Sequence, residues 1–192
     1  MTSPCFATQA ATADEMKALG RALGRALRVG DVVALTGALG AGKTTLAQGI
    51  AQGLEIPAER HVASPTFALV NEHPARVLFV HADFYRLRED AELRELGLDE
   101  MFERAAVVIE WADLFPTALP ADHLEVRIDP SPPTSAESPA ESRAGTDAGT
   151  DAGTDAGTEA GTDAGTGART VTFRPHGPRS TRLISSISNS TM

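Results

Sequence analysis

Apolar residues recur at helical spacing from Met16 onward: Leu19, Leu23, Ala26 and Leu27 follow at three- and four-residue steps. Thr12-Ala13-Asp14-Glu15 stands ahead of them with the spacing of a capping box, so the pattern predicts an amphipathic helix. Gly30-Asp31 makes a turn, and Val32-Val33-Ala34-Leu35-Thr36 is a β-rich run stopped by Gly37, as a buried strand would be. Leu46, Ile50 and Leu54 then repeat every four residues until Gly53 and Pro57 close the pattern. Strand, glycine loop, helix is the local order.

Residues 67–70 and 77–81 are two further strand candidates, and the turn-forming stretch 71–76 between them predicts an antiparallel hairpin. Residues 88–96 read as a short helix ended by Gly97, and Ala106-Val107-Val108-Ile109 as a central strand that stops at Glu110-Trp111. The alternating segments 124–128 and 170–173 pair with each other if the polar stretch between them loops out. From Arg182 onward a Ser/Thr/Asn-rich tail is expected to be mobile.

That polar stretch changes the size of the folding unit. Residues 130–168 hold Glu137, Glu141, Asp147, Asp151, Asp155, Glu159 and Asp163 against Arg143, with no Val, Ile, Leu or aromatic residue. Such a composition buries too little apolar surface to offset its ordering entropy. The remainder of the 192 residues is ample for one domain. The expected plan is a core over 8–129, a disordered insert over 130–168, a final strand and end of the core over 169–184, and a mobile tail over 185–192. Within the insert, six Ala-Gly-Thr-Asp-like tetrads run from Ala144 to Gly167 and read as flexible linker. A divalent-cation tract would need the denser ligands and the turn geometry of calcium loops. Most of the formal net charge of −9 sits here, so overall charge gives little support to a nucleic-acid or acidic partner.

Cys5 is the lone cysteine, which excludes an internal disulfide and any multi-cysteine metal site and suits a reducing compartment. No apolar run reaches membrane-span length and Met1-Thr2-Ser3-Pro4 has no signal-peptide character, so the expected location is cytoplasmic, with no membrane contact. Fifteen arginines accompany only Lys17 and Lys43. A lysine that remains invites inspection.

Lys43 falls on the one position where a lysine is required. Gly37-Ala38-Leu39-Gly40-Ala41-Gly42-Lys43-Thr44 matches the Walker A pattern in full, between a predicted strand and a predicted helix. Successive backbone N–H groups must wrap a polyphosphate, and glycines permit the positive φ angles and close approach this demands. Lys43 offers a point charge to the β- and γ-phosphates, Thr44 a hydroxyl for Mg²⁺, and the helix its positive dipole end. An Asn-Lys-x-Asp guanine loop is missing, which favours ATP. Hydrolysis needs a second metal-organising acid at a neighbouring strand end, and Glu110 stands there; a merely solvated carboxylate is the alternative.

Other candidates are less decisive alone. Asp83 ends a strand and suits a metal-bound or attacking water, while Arg86 meets phosphate or pairs with an acid such as Glu89. His81 reads as a hydrogen-bonded structural histidine rather than a proton shuttle. Thr66 either senses the γ-phosphate as switch threonines do or simply follows the proline that starts a strand. Trp111 on its own reads as core packing.

Together these blocks resemble the TsaE (YjeE) family of bacterial P-loop ATPases required for threonylcarbamoyladenosine formation on tRNA. The resemblance runs from about Thr12 to Ile128. Its specific parts are Ser64-Pro65-Thr66-Phe67, His81-x-Asp83-Phe84-Tyr85-Arg86-Leu87, Glu95-Leu96-Gly97-Leu98-Asp99-Glu100 and Ile109-Glu110-Trp111, in order behind the Walker A loop. It implies a single-domain, three-layer P-loop NTPase-like α/β fold with a mixed central sheet. It implies ATP at Gly40, Ala41, Gly42, Lys43, Thr44 and Thr45, Mg²⁺ at Thr44 and Glu110, and Asp83 near the γ-phosphate and metal, with Thr66 in a nucleotide-sensing switch. It further implies that Arg169, aligned with a basic residue of the family, approaches the nucleotide, and that Thr12 lies near the adenine end. The family acts with the TsaB–TsaD pair, which carries out the transfer, and meets tRNA indirectly. Ala82 and Ala112-Asp113 depart from the family pattern without removing a functional group, whereas the insert interrupts its last hairpin. A small-molecule phosphotransferase would need several basic residues around an acceptor, and no arginine cluster beyond Arg86 and Arg88 is evident in sequence. A non-hydrolysing nucleotide-dependent module is the other alternative.

Overall fold

Seven strands form one mixed sheet in this computed structural model, which describes residues 5–57, 59–60, 62–131 and 167–188. The order along the chain is β1 (Phe6–Ala10), α1 (Ala13–Ala26), β2 (Val32–Thr36), α2 (Lys43–Gly53), β3 (Val70–His73), β4 (Phe79–Asp83), α3 (Asp90–Glu95), α4 (Leu98–Arg104), β5 (Ala106–Glu110), β6 (Leu124–Pro130), β7 (Arg169–Pro175) and α5 (Pro178–Ser188). Across the sheet the strands run β1-β7-β6-β2-β5-β4-β3. The central four, β6, β2, β5 and β4, are parallel, and antiparallel strands flank them on both sides.

A parallel sheet must be covered on both faces, and β2 shows how. Val33 and Leu35 pack into the layer with Leu23, Leu46, Ile50 and Leu183 of α1, α2 and α5. Val32 and Ala34 point the other way, toward Leu98 of α4 and its neighbours. Three layers result. At the seam of α1 and α2 glycines set the distance: a Cβ on Gly24 would lie 2.2 Å from the Ile50 carbonyl oxygen, and one on Gly53 2.3 Å from that of Arg21. The helix that follows the glycine loop is thus clamped directly on α1.

Thr12 caps α1, its Oγ1 accepting the Glu15 N–H at 3.2 Å, while Glu15 Oε2 reaches back past the cap to accept the Ala11 N–H at 2.6 Å. Strands β6 and β7 pair as expected, Val126 opposite Phe173. The tetrads between them lie outside the described residues.

Several elements differ from the sequence reading. The hairpin begins at Val70, not at residue 67, because the Leu69 N–H bonds to Pro65 and Leu69 takes φ 64°, turning residues 66–69 across the end of β4. The helix ended by Gly97 restarts at once as α4, Gly97 itself holding φ 63°. Strand β1 alternates in burial, but its residues Phe-Ala-Thr-Gln-Ala do not alternate apolar and polar, so the sequence did not show it; it pairs antiparallel with β7. Residues 189–192 of the expected mobile tail lie outside the described residues, and the part up to Ser188 is helical, with Leu183, Ile184 and Ile187 buried. These fall at one-, three- and four-residue steps, a stripe hidden by the surrounding serines and arginines. Among the described residues no helix is long and apolar enough to cross a membrane.

Candidate functional site

The chain leaves β2 at Thr36 and crosses the end of the sheet in a loop that only glycines can follow. Gly37, Gly40 and Gly42 have φ of 134°, 75° and 108°. A Cβ on Gly37 would sit 2.4 Å from the Ile128 carbonyl oxygen, so the loop lies directly on the end of β6. Helix α2 starts at Lys43, and the unpaired N–H groups of its first turn give the loop an electropositive rim.

Lys43 is 4% exposed. Its Nζ donates to the carbonyls of Gly37 at 2.6 Å and Ala38 at 2.9 Å. The same ammonium stands 3.5 Å from the centre of the Trp111 ring, which packs on Tyr85 with centroids 4.9 Å apart. Burial lowers the Lys43 pKa from its ordinary value, and the charges of Glu110, Asp113 and Asp83 oppose that shift.

Two buried carboxylates face this cation. In the parallel register Asp83 of β4 lies opposite Glu110 of β5. Glu110 Oε2 accepts the Thr44 hydroxyl at 2.9 Å, and Oε1 meets His81 Nε2 at 2.9 Å. Asp83 Oδ2 accepts the hydroxyls of Thr66, at 2.8 Å, and of Ser64, while Oδ1 accepts the Tyr85 N–H at 2.8 Å. A cleft of about 340 Å³ opens over these groups, lined by residues 39–45, Ser64, Thr66, Asp83, Tyr85, Glu110 and Trp111.

The donor set at Thr44 and Glu110 is all oxygen, as Mg²⁺ requires. Among the described residues no group of three or more His, Cys, Asp or Glu gathers to hold a metal unaided. A sequence model described as threonylcarbamoyl adenosine biosynthesis protein TsaE matches residues 10–137.

The chain belongs to the TsaE family.

A Mycobacterium tuberculosis protein named tRNA threonylcarbamoyladenosine biosynthesis protein TsaE is 43% identical over 121 residues, covering 58% of this chain and 71% of that one. A Bacillus subtilis protein of the same name is 42% identical over 117 residues, covering 60% and 72%. The crystal structure of YdiB from Bacillus subtilis superposes with a TM-score of 0.70 at 26% identity, covering 100% of this chain and 99% of that one. The fold is that of the P-loop NTPases.

In this TsaE-family chain the cleft draws together Gly40, Ala41, Gly42, Lys43, Thr44, Thr45, Thr66, Asp83 and Glu110, all singled out from sequence. Thr12 and Arg169 are not among its lining residues. Both stand at the same end of the sheet: Thr12 caps α1 just beyond β1, and Arg169 opens β7 opposite Ala10 and Pro130. Ser64, Tyr85 and Trp111 join the cleft without an assigned role in the sequence reading. Trp111 packs against the core layer of β4 and β5, as read from sequence, and in addition presents its ring to Lys43. Alternation along β4 was the available signal for His81, which shares the face of Asp83.

The expectation that no arginine cluster lies beyond Arg86 and Arg88 is corrected. Arg25, Arg28, Arg76 and Arg182 line a shallow hollow, although they are scattered in sequence. Arg76 donates to the carbonyls of Gly24, Arg25 and Leu27, and Arg182 to that of Ala26. They satisfy the C-terminal end of α1, at the opposite end of the sheet from the glycine loop.

Proposed function

We propose that this chain binds ATP with Mg²⁺ in the cleft, hydrolyses it slowly, and acts with TsaB and TsaD proteins in forming threonylcarbamoyladenosine beside the anticodon of ANN-decoding tRNAs. The observation that carries the reading is the convergence of Lys43, the Thr44–Glu110 pair and Asp83 on one cleft above the glycine loop. The names of its relatives support the pathway.

Backbone N–H groups of the loop and of the first turn of α2 would hold the phosphates. Lys43 would exchange the Gly37 and Ala38 carbonyls for β- and γ-phosphate oxygens. Thr44 and Glu110 would hold Mg²⁺, which neutralises charge on the phosphate oxygens. Asp83, fixed by Ser64 and Thr66, would orient the attacking water, and Thr66 would register the γ-phosphate from the turn before β3. Arg169 and Thr12, at the same end of the sheet, would close on the nucleotide from the β1–β7 side. ATP is preferred over GTP because the sequence lacks a guanine-reading loop. A metabolite kinase is disfavoured because the four-arginine hollow lies at the wrong end of the sheet to serve an acceptor. The exposed free thiol of Cys5 suits the cytoplasm.

The test is a pull-down of the purified protein with TsaB and TsaD of the same organism, with and without ATP, followed by reconstituted tRNA modification. Nucleotide-dependent association and a modification yield that depends on Lys43 are expected. Association indifferent to nucleotide, together with full modification by Lys43→Ala, would overturn the reading.

A further inference from the structure

The two oxygens of Glu110 have separate partners. Oε2 takes the Thr44 hydroxyl at the cleft, and Oε1 takes His81 Nε2 from inside the sheet. A carboxylate oxygen accepts, so the Nε2–H of His81 is the donor in this bond. Nδ1 is buried and has no hydrogen-bond partner among the described residues.

That arrangement is a poor way to fill a core position. His81 is fully buried, its ring 5.9 Å from that of Phe79 at 23°, between Phe79 and Asp83 on one face of β4. A leucine or phenylalanine would occupy the space without an unsatisfied nitrogen. The polar function of the ring is therefore concentrated in its single bond to Glu110. The register explains how it reaches: His81 pairs with Val108 and lies diagonally from Glu110, on the face that also carries Asp83.

We propose that His81 is a positioning residue for the metal-nucleotide site. Rotation about the terminal bond of a glutamate side chain is soft and nearly two-fold, so a carboxylate at the end of β5 has no intrinsic reason to present one oxygen. The Nε2–H bond to Oε1 fixes that rotation and holds Oε2 beside Thr44. His81 thereby prepares one oxygen face for the divalent cation that accompanies the phosphates, without touching nucleotide or metal itself. The inference rests on the Mg²⁺-nucleotide reading of the cleft.

The test uses full-length protein with His81→Leu, His81→Asn and His81→Gln. ATP affinity in EDTA is followed by Trp111 fluorescence, and Mn²⁺ affinity of the nucleotide complex by electron paramagnetic resonance. His81→Leu and His81→Asn are expected to keep metal-free ATP affinity within about twofold of wild type and to weaken Mn²⁺ binding about tenfold, the usual cost of losing an outer-shell partner. His81→Gln, whose amide reaches the Nε2 position, is expected to restore most of that affinity. Should His81→Leu fail to fold, the Asn and Gln variants give the same comparison. Unchanged Mn²⁺ affinity in the Asn variant, or an equal loss of metal-free ATP binding, would overturn the role of His81 alone. A wild-type nucleotide complex that takes up no Mn²⁺ would overturn the cleft reading and this inference with it.

Discussion

Lys43 Nζ lies 3.5 Å from the centre of the Trp111 ring, and Trp111 holds φ 58°, a left-handed backbone rare for an aromatic residue. Such a conformation costs on the order of 1–3 kcal/mol and survives only where its surroundings impose it. Trp111 directly follows Glu110, so the reversal that ends β5 also swings the indole over the loop cation. Two carbonyls and a ring face together satisfy the ammonium, and an incoming phosphate has to replace the carbonyls.

Lys43→Ala is expected to weaken ATP binding by roughly 10- to 100-fold, the equivalent of losing hydrogen bonds from a charged donor worth about 1.5–3 kcal/mol. Isothermal titration gives the number. Wild-type affinity in that variant would remove the loop from the nucleotide site.

Glu110→Gln and Asp83→Ala act on the other side of the cleft. Each should depress single-turnover hydrolysis by about 100-fold or more, a typical loss for a group acting in the transition state, while ATP binding changes far less. Comparing quenched-flow rates with titrated affinities separates the two effects. Normal turnover in both variants would discard both roles.

Elements that the sequence declared locally were the ones read correctly. The glycine loop between β2 and α2 carries its own signals, and so does α1, whose Thr12 cap and apolar stripe lie within one segment. Helix α5 was missed because its N-terminal N–H groups, at Arg179 and Ser180, are accepted by Asp122, far away in the chain. A local scan sees Pro178 and a run of serines; the structure supplies the cap from a distant loop. The same holds at the site. Residues such as Lys43 and Thr44 were legible as a motif, whereas Trp111 under Lys43 and His81 behind Glu110 depend on strand register.

Removal of the tetrads should be tolerated. The Ser131 N–H bonds to the Ala168 carbonyl at 2.9 Å, and the Ser131 and Thr170 hydroxyls are 3.0 Å apart, so the two strand ends already meet. Excising residues 132–167 and closing with a short turn shortens the loop by about three halvings, each worth ~0.6 kcal/mol of closure entropy. Melting temperature should hold or rise slightly, with ATPase activity unchanged. A collapse in either, measured by calorimetry and phosphate release, would make the tetrads structural.

Mild acid should weaken the fold through His123. Its ring stacks on that of His176, centroids 4.2 Å apart at 11°. Burial is the main reason its pKa is lowered, with the neighbouring His176 adding to the effect and the hydrogen bond to the Pro120 carbonyl opposing it. The unfolded chain then takes up the proton first, near the ordinary histidine value of about 6.5. In that window the unfolded state binds more protons, so stability is full above it and declines as pH falls through it. Thermal melts between neutral and mildly acidic pH should show this decline, and His123→Phe, which keeps the ring contact, should flatten it. An identical slope in the variant would remove His123 as the cause.

Partner dependence is the remaining prediction, and it rests on what surrounds the cleft. Leu39, Phe67 and Tyr85 are 79%, 89% and 51% exposed, and all three belong to segments that meet the nucleotide site. Leu39 is in the glycine loop, Phe67 follows Thr66 in the turn before β3, and Tyr85 donates its N–H to Asp83. Apolar side chains so placed gain by burial against another protein, and their positions are tied to groups that a γ-phosphate would move. The part of the chain outside residues 130–168 is itself mildly acidic, which gives poor steering toward a phosphate backbone. Free protein is therefore expected to hydrolyse ATP slowly and to bind tRNA weakly, and to be stimulated by the TsaB–TsaD pair. Trp111→Ala and Asp83→Ala should blunt the stimulation, the first by freeing Lys43 and Tyr85, the second by releasing Ser64 and Thr66. Steady-state ATPase assays with and without the pair measure this directly. A fast basal rate indifferent to the pair, or transfer of phosphate to a small metabolite, would move the protein into the phosphotransferase class.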